Sequence, residues 1–288
     1  MSKIILITGT STGVGLHTTS LLAARGNMVY ATMRDTTKRN LLEELTKNYP
    51  SNVHILPLDV QKQETIDECI KAITDKEKRI DVLINNAGAG FIRTLEQATM
   101  EEIHNVMDVN FYGVIRCIKA VLPVMRKQKN GHIINVSSVG GLVGQPINEI
   151  YCAAKFALEG LTESIATYLA PYFGIKTTII EPAGITTEFG NTLMNYFNNT
   201  GGVRQDDYLP LMNDYMAYRQ TFTEELKAKI FQTPEQVAQV IADCISDPEP
   251  KLRYLTSPYA AEFTYLKSGL DADGNKLQDI IRKRILNK

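Results

Sequence analysis

Hydrophobic positions along the chain fall into two alternating rhythms. Short apolar runs at residues 4–7, 28–31, 53–58, 81–84, 132–136 and 176–180 read as strands. The near-continuous apolar run at 4–7 carries the signature of a parallel strand buried on both faces. Between the runs lie longer stretches of helical spacing, at 16–24, 41–48, 65–76, 100–128 and 150–172, the first of them stopped by Gly26. Strand–helix alternation predicts right-handed crossovers and an α/β fold, a doubly wound parallel sheet with helices on both faces. No linker interrupts the pattern, so residues 1–288 are expected to form one domain.

The rhythm breaks at 187–229, which is rich in Asn, Tyr and Met and has Gly201-Gly202 at its middle. It reads as an irregular insertion after the sixth strand, and a long irregular segment in a compact domain is usually a lid or binding loop. Beyond it, Thr233-Pro234-Glu235 predicts a helix start, with Thr as cap and Pro in the first turn. Residues 252–256 suggest a last strand and 276–288 an amphipathic helix with a basic end.

Composition narrows the function. The 288 residues carry 31 Lys+Arg against 32 Asp+Glu, a formal net charge of −1 that argues against a broad nucleic-acid footprint. At 44% hydrophobic the chain can collapse onto a core, which excludes disorder. Cys69, Cys117, Cys152 and Cys244 stand apart, without CxxC pairs or clustered His, so no metal site is expected and a reduced compartment fits. No run reaches the ~20 apolar residues of a membrane span and no signal peptide is visible, which points to a cytoplasmic protein.

The candidate chemistry starts at the end of the first strand, in Thr8-Gly9-Thr10-Ser11-Thr12-Gly13-Val14-Gly15. Glycines there let the backbone turn tightly and approach a phosphate, and the helix that follows offers free N–H groups and a positive dipole end. The spacing is TGxxxGxG rather than the GxGxxG dinucleotide fingerprint. Further along, Tyr151 and Lys155 are four residues apart and share a helix face. An ammonium beside a phenol favours the phenolate, so such a Tyr is suited to trade a proton with a carbonyl or alcohol oxygen. The same pair is also common on solvated helix faces.

TGxxxGxG after the first strand, Asn85-Asn86-Ala87-Gly88 after the fourth and YxxxK after Ser137-Ser138 occur in this order. In combination, over about residues 3–190, the chain resembles the classical short-chain dehydrogenase/reductase (SDR) family. Residues 29–35 (VYATMRD) resemble the branch of 17β-hydroxysteroid and retinol dehydrogenases. The resemblance implies a Rossmann-like fold and a catalytic tetrad of Asn110, Ser138, Tyr151 and Lys155. Ser138, 13 positions before Tyr151, would hydrogen-bond the substrate oxygen. Tyr151 would be the acid/base, and Lys155 would lower its pKa and bind the nicotinamide ribose. Asn110 would kink the long helix and hold a relay water.

The same resemblance implies a cofactor site of Gly9, Ser11, Thr12, Gly13, Val14 and Gly15 at the phosphates, with Asp59 and Val60 at the adenine. Asn86, Ala87 and Gly88 would line the ribose, and Pro182, Ile185 and Thr187 the nicotinamide. Ala183 departs from the family pattern, which has Gly there. An NAD enzyme carries an acid at the end of the second strand. Here that position reads as Met33, followed by Arg34, whose guanidinium suits a 2′-phosphate. NADP(H) is the expectation, with NAD(H) the alternative if Asp35 points back instead.

Leu142, Val143, Gln145 and Ile147, with Phe189, Leu193, Met194 and Phe197 from the insertion, are expected to wall a lipophilic ketone, aldehyde or secondary-alcohol pocket. The membrane-anchored retinol dehydrogenases carry a hydrophobic terminal segment that is not visible in this chain. A soluble carbonyl reductase is therefore expected, as a homodimer or homotetramer paired through its long helices. A non-catalytic NADP(H)-sensing or scaffold protein on the same fold is the alternative.

Overall fold

The computed structural model describes residues 2–281 and 283. The elements run β1 (Ile4–Thr8), α1 (Gly13–Ala24), β2 (Met28–Met33), α2 (Asn40–Thr46), β3 (Val53–Pro57), α3 (Gln63–Glu77), β4 (Val82–Asn85), α4 (Met100–Met107), α5 (Gly113–Gln128), β5 (Gly131–Val136), α6 (Glu149–Phe173) and β6 (Ile175–Glu181). Then follow β7 (Gly184–Ile185), α7 (Glu188–Asn199), α8 (Leu209–Gln220), α9 (Glu224–Ile230), β8 (Phe231–Gln232), α10 (Pro234–Ser246), β9 (Arg253–Leu255), α11 (Pro258–Ser268) and α12 (Asn275–Ile281). The expected terminal helix thus begins at Asn275, and part of its basic end lies outside the described residues.

Seven strands form one sheet in the order β3-β2-β1-β4-β5-β6-β9, all pairs parallel. Alternation along the strands sends side chains to two cores. Ile4, Leu6, Leu83 and Ile133 pack under α3, α5 and α6, against Ile73, Val121 and Leu158. Ile5, Ile7, Ile84 and Ile134 pack on the opposite face against Leu22 of α1 and Ile241 of α10. Because both faces are covered, the strands have no polar side, which is why their sequences read as apolar runs. The sheet order reverses between β1 and β4, and the loops diverging there open a crevice at the carboxyl ends of the strands.

Two boundaries carry the signals the sequence offered. Thr233 caps α10 through the Gln236 N–H, and the Gln236 side chain accepts from the Thr233 N–H, completing a capping box. α6 ends at Gly174, whose φ of +66° is a left-handed termination that costs glycine nothing.

The segment after β6 differs from the irregular insertion expected of it, for it folds as α7, α8 and α9. Thr187 and Thr223 cap α7 and α9 with side-chain oxygens. Phe197 and Met212 bury in a small cluster with Ile92 and Ile147. Gly190, Gly201, Gly202 and the repeated Asn interrupt its helical signal, and tertiary packing supplies what that composition does not.

The four cysteines are free and buried. Burial pushes the Cys69 and Cys117 thiols up to about 12 and that of Cys244 to about 11. His132 on β5 is also buried, with Nε2 2.9 Å from Thr178 Oγ1 and 4.0 Å from Cys244 Sγ. Burial, with Lys3 and Lys176 nearby, holds its imidazole down at about 3. A lowered native pKa means that the neutral ring stabilises the fold fully above pH ~6.5, and that this contribution drains away as pH falls toward 3. The stability difference between the wild type and His132→Gln should therefore shrink steadily from pH 6.5 to pH 4 in urea unfolding.

Candidate active site

The crevice is built from the turn after β1 and the loop after β4. Gly9 and Gly13 have φ of +72° and +59°, conformations that L side chains rarely adopt. A Cβ on Gly15 would fall 2.3 Å from the Gly9 carbonyl oxygen, so the first turn of α1 must carry glycine there. Asn86 locks the two loops together, its Nδ2 donating to the Thr8 and Gly9 carbonyls at 2.9 and 2.8 Å. The Thr8 hydroxyl accepts from the Asn86 and Ala87 N–H groups, both at 3.1 Å. Ser11 and Thr12 lie on the same turn, Thr12 as the N-cap of α1, with Val14 buried just inside the helix. The result is a helix N-terminus approached over a tight glycine-rich turn, the arrangement an anion needs.

At the end of β2, Met33 is buried and Arg34 is exposed. Asp35 is engaged locally, its Oδ1 accepting from the Thr37 N–H at 3.0 Å and hydroxyl at 2.6 Å. These bonds hold its carboxyl below the usual range. After β3, the Asp59 carboxylate likewise accepts from the Gln61 N–H, while Val60 is buried against Gly113.

The second half of the site hangs on the α4–α5 junction. Residues Asp108–Tyr112 form a π-helical turn, the Gly113 N–H reaching back to the Asp108 carbonyl. At its centre the fully buried Asn110 donates from Nδ2 to the Ala89 and Val106 carbonyls, at 2.8 and 2.9 Å, and accepts from the Ala89 N–H at 3.2 Å. A single amide thereby fixes both the π turn and the loop after β4. A Cβ on Gly88 would lie 3.1 Å from Asn110 Oδ1 and 3.9 Å from Lys155 Nζ, which puts Gly88, Asn110 and Lys155 at one place.

Beneath them runs a buried chain of polar groups. Asn85 donates to Asn135 at 2.8 Å, and Asn135 donates to Thr162 of α6 at the same distance. It pins the ends of β4 and β5 to α6, the helix that carries Tyr151 and Lys155. The Ser138 hydroxyl accepts from the Gly140 N–H at 3.0 Å and lies beside the Tyr151 phenol, whose pKa it lowers. Lys155 donates to the Val136 carbonyl at 2.9 Å, and its Nζ lies 5.7 Å from the centre of the Tyr151 ring.

Burial dominates the protonation of both groups. It pushes the Tyr151 phenol up to about 12, against the lowering by Ser138, and brings the Lys155 ammonium down to about 8, against the charge of Glu159. Burial thus opposes the lowering of the Tyr151 pKa that the YxxxK spacing suggested.

The loop after β6 closes the far wall. The Pro182 carbonyl accepts from the Val139 N–H at 3.0 Å, joining this loop to the one that carries Ser138. Ile185 pairs with Gln232 in the β7–β8 ribbon, and Thr187 stands next to Gly13, where a Cβ would touch its methyl at 3.4 Å.

Of the expected substrate residues, Phe189 stands over the tetrad, with its ring 6.4 Å from that of Tyr151. Phe189 and Leu193 also cover Gly90, where a Cβ would meet them at 2.9 and 3.1 Å. Leu142 and Val143 are half-buried in the loop after β5. Ile147 and Phe197 sit inside the small apolar cluster, with Leu193 and Met194 packed against it. Gln145 borders a hollow of about 470 Å³ on the flank of α6, together with Pro146, Cys152 and Phe156.

Two features of this wall were not singled out in the sequence. Arg93 is buried, and its guanidinium donates to the Gly202 and Thr200 carbonyls at 2.7 and 2.8 Å and stacks 4.7 Å over Phe197. It therefore caps the C-terminal end of α7, where a cation is favoured. A charged residue following the apolar pair Phe91-Ile92 was the available signal. Ile147 has φ +63°, a costly conformation for a β-branched residue. It is held there by burial and by the Arg93 N–H, which donates to its carbonyl at 3.0 Å.

Residues 3–195 match the family description "short chain dehydrogenase". The chain belongs to this family. It is 36% identical over 262 residues to estradiol 17-beta-dehydrogenase 1 of Rattus norvegicus, covering 89% of this chain and 74% of that protein. It is 35% identical over 286 residues to retinol dehydrogenase 8 of Bos taurus, covering 95% and 87%. Among solved structures, ElxO with NADP bound superposes with a TM-score of 0.74 at 26% identity, covering 91% of this chain and 100% of that one. The protein is thus a short-chain dehydrogenase, an oxidoreductase by family. Among the described residues no helix is long and apolar enough to cross a membrane.

Asn110→Leu keeps the volume but removes the donors and acceptor that hold the π turn. It should destabilise the short-chain dehydrogenase by about 2–4 kcal/mol, because the Ala89 N–H and two carbonyls lose their partner. Urea unfolding reads this directly.

Proposed function

We propose that the protein is an NADP(H)-dependent carbonyl reductase or alcohol dehydrogenase acting on a lipophilic substrate, with residues 1–288 as one dinucleotide-binding domain and 187–229 as its substrate lid. The observation that carries this reading is the convergence of Ser138, Tyr151, Lys155 and Asn110 at the ends of β4 and β5, beside a glycine-lined helix N-terminus.

The residues present fit the dinucleotide. Gly9 and Gly15 let the loops after β1 and β4 close on each other beside the helix N-terminus where a pyrophosphate would sit, with Ser11, Thr12, Gly13 and Val14 on the same turn. Asn86, Ala87 and Gly88 would hold the adenosine ribose, with Asp59 and Val60 at the adenine. Lys155 would bind the nicotinamide ribose, and Pro182, Ile185 and Thr187 the carboxamide. Arg34 is exposed at the end of β2, while the carboxylate of Asp35 is occupied by Thr37. That pairing favours a 2′-phosphate over a 2′-hydroxyl, as does the NADP in ElxO.

When bound, the cofactor supplies or receives the hydride. Ser138 donates a hydrogen bond to the substrate oxygen and holds it against Tyr151. Tyr151 gives its proton to that oxygen in reduction and takes it back in oxidation. The charge of Lys155 stabilises the phenolate that forms, offsetting the cost of burying it. Asn110, bonded to the loop after β4, keeps the floor of the site in place. The half-buried Leu142 and Val143 and the Phe189–Leu193 wall offer apolar surface, consistent with relatives named for estradiol and retinol.

Fluorescence titration should show tighter binding of NADPH than of NADH. Arg34→Ala should weaken NADPH about tenfold or more, the value of one charge-assisted pair, and leave NADH almost unchanged. Equal loss for both cofactors would refute the phosphate site. Tyr151→Phe should lower kcat/KM for a bulky hydrophobic ketone by about 10²–10⁴ while NADPH still binds; full turnover by that variant would refute the assignment of Tyr151.

A further inference from the structure

Two turns below Tyr151, α6 turns a second set of charged groups inward. Arg253 of β9 donates from one nitrogen, Nη1, to Glu159 of α6 and Glu181 at the end of β6, and from Nη2 to Glu163. Glu181 is fully buried, and Glu159 and Arg253 are 4% and 7% exposed. The two carboxyls lie side by side, both accepting from Nη1 of Arg253, and the Ser137 hydroxyl borders Glu159 without a hydrogen-bond partner of its own. Yet Glu159 Oε1 and Glu181 Oε2 have no donor.

Ionised carboxylates are acceptors only, so two of them side by side can satisfy neither inward oxygen. One guanidinium also faces three carboxyls, and like charges in contact, out of water, cannot all persist. A single proton between the two inward oxygens removes both defects at once.

The cluster touches the β5 and β6 ends of the active site. Ser137 precedes Ser138, Glu181 precedes the Pro182 loop, and Glu159 lies one helical turn from Lys155, on the same face of α6. The charged groups packed here are Lys155, Glu159 and Glu163 from α6, Glu181 from β6 and Arg253 from β9. The negative charge of Glu159 opposes the burial that strips Lys155 of its proton.

We propose that Glu159 and Glu181 share one proton, and that the remaining charge of the pair keeps Lys155 an ammonium, making both glutamates positioning residues for Tyr151. The role toward Tyr151 rests on the oxidoreductase reading above; the shared proton does not. As pH rises, loss of the shared proton adds negative charge below Lys155 and delays its own deprotonation. The pair thus widens the pH range in which the ammonium is present.

Two readouts test this without turnover. Infrared spectra of the wild-type protein near neutral pH should contain a protonated-carboxyl C=O band that shifts in D2O, and Glu181→Gln should abolish it. Absence of the band in the wild type, or its survival in the variant, would overturn the shared proton. Lysine-selective ¹⁵N NMR should show Lys155 titrating about one unit lower in Glu159→Gln than in the wild type. Glu181→Gln keeps the charge on Glu159 but forfeits the second ionisation, so Lys155 should titrate lower than in the wild type, by less than in Glu159→Gln. An unmoved Lys155 in Glu159→Gln would overturn its dependence on the pair. Should the protein reduce no carbonyl at all, both readouts still stand, so failure of the oxidoreductase reading is told apart from failure of the pair.

Discussion

The Thr8–Asn86 clasp is the contact on which the rest of the site depends. At the reversal of strand order the chains leaving β1 and β4 diverge, and their backbone groups lose their partners in the sheet. Six polar groups close this gap: the hydroxyl and carbonyl of Thr8, the Gly9 carbonyl, the N–H and side-chain amide of Asn86, and the Ala87 N–H. Gly15 can approach Asn86 only because it lacks a Cβ. The loop held in this way passes through Gly88 to Ala89, which Asn110 grips, and Gly88 in turn abuts Lys155. A cofactor cradle and a catalytic helix far apart in sequence are thereby placed by one short series of amide hydrogen bonds.

Dryness sets the electrostatics beneath. Burial raises the Tyr151 phenol and lowers the Lys155 ammonium, so each is driven toward neutrality. Chemistry that needs a phenolate beside an ammonium must recover that loss from elsewhere. The buried carboxylate of Glu159 supplies negative charge toward Lys155 and is tied through Arg253 to the edge strand β9. An edge strand of three residues is thus part of the electrostatics of the centre.

Most of this was legible in the chain because parallel strands buried on both faces write themselves as apolar runs, and because TGxxxGxG, NNAG and YxxxK fall at strand ends in a fixed order. Each of the six early strands lies within two residues of its expected bounds. What was not legible depends on distant partners. α7, α8 and α9 are held by Phe197 and Met212 meeting Ile92 and Ile147, contacts that periodicity cannot reveal. Arg93, Arg253 and Glu181 look in sequence like ordinary charged residues near loops, and only the fold buries them. The left-handed backbone of Ile147 could not be foreseen at all, since nothing in a β-branched side chain announces it.

The four thiols have a practical meaning. Each lies beneath a face of the sheet or in the foot of α6, protonated and shielded from solvent. Electrophiles and mild oxidants attack thiolates they can reach, so the native fold offers them little purchase. A cysteine introduced at an exposed position such as Asn191 or Asn198 would then stand almost alone toward a maleimide dye, turning the helix over Tyr151 into a site for reporting its own movement.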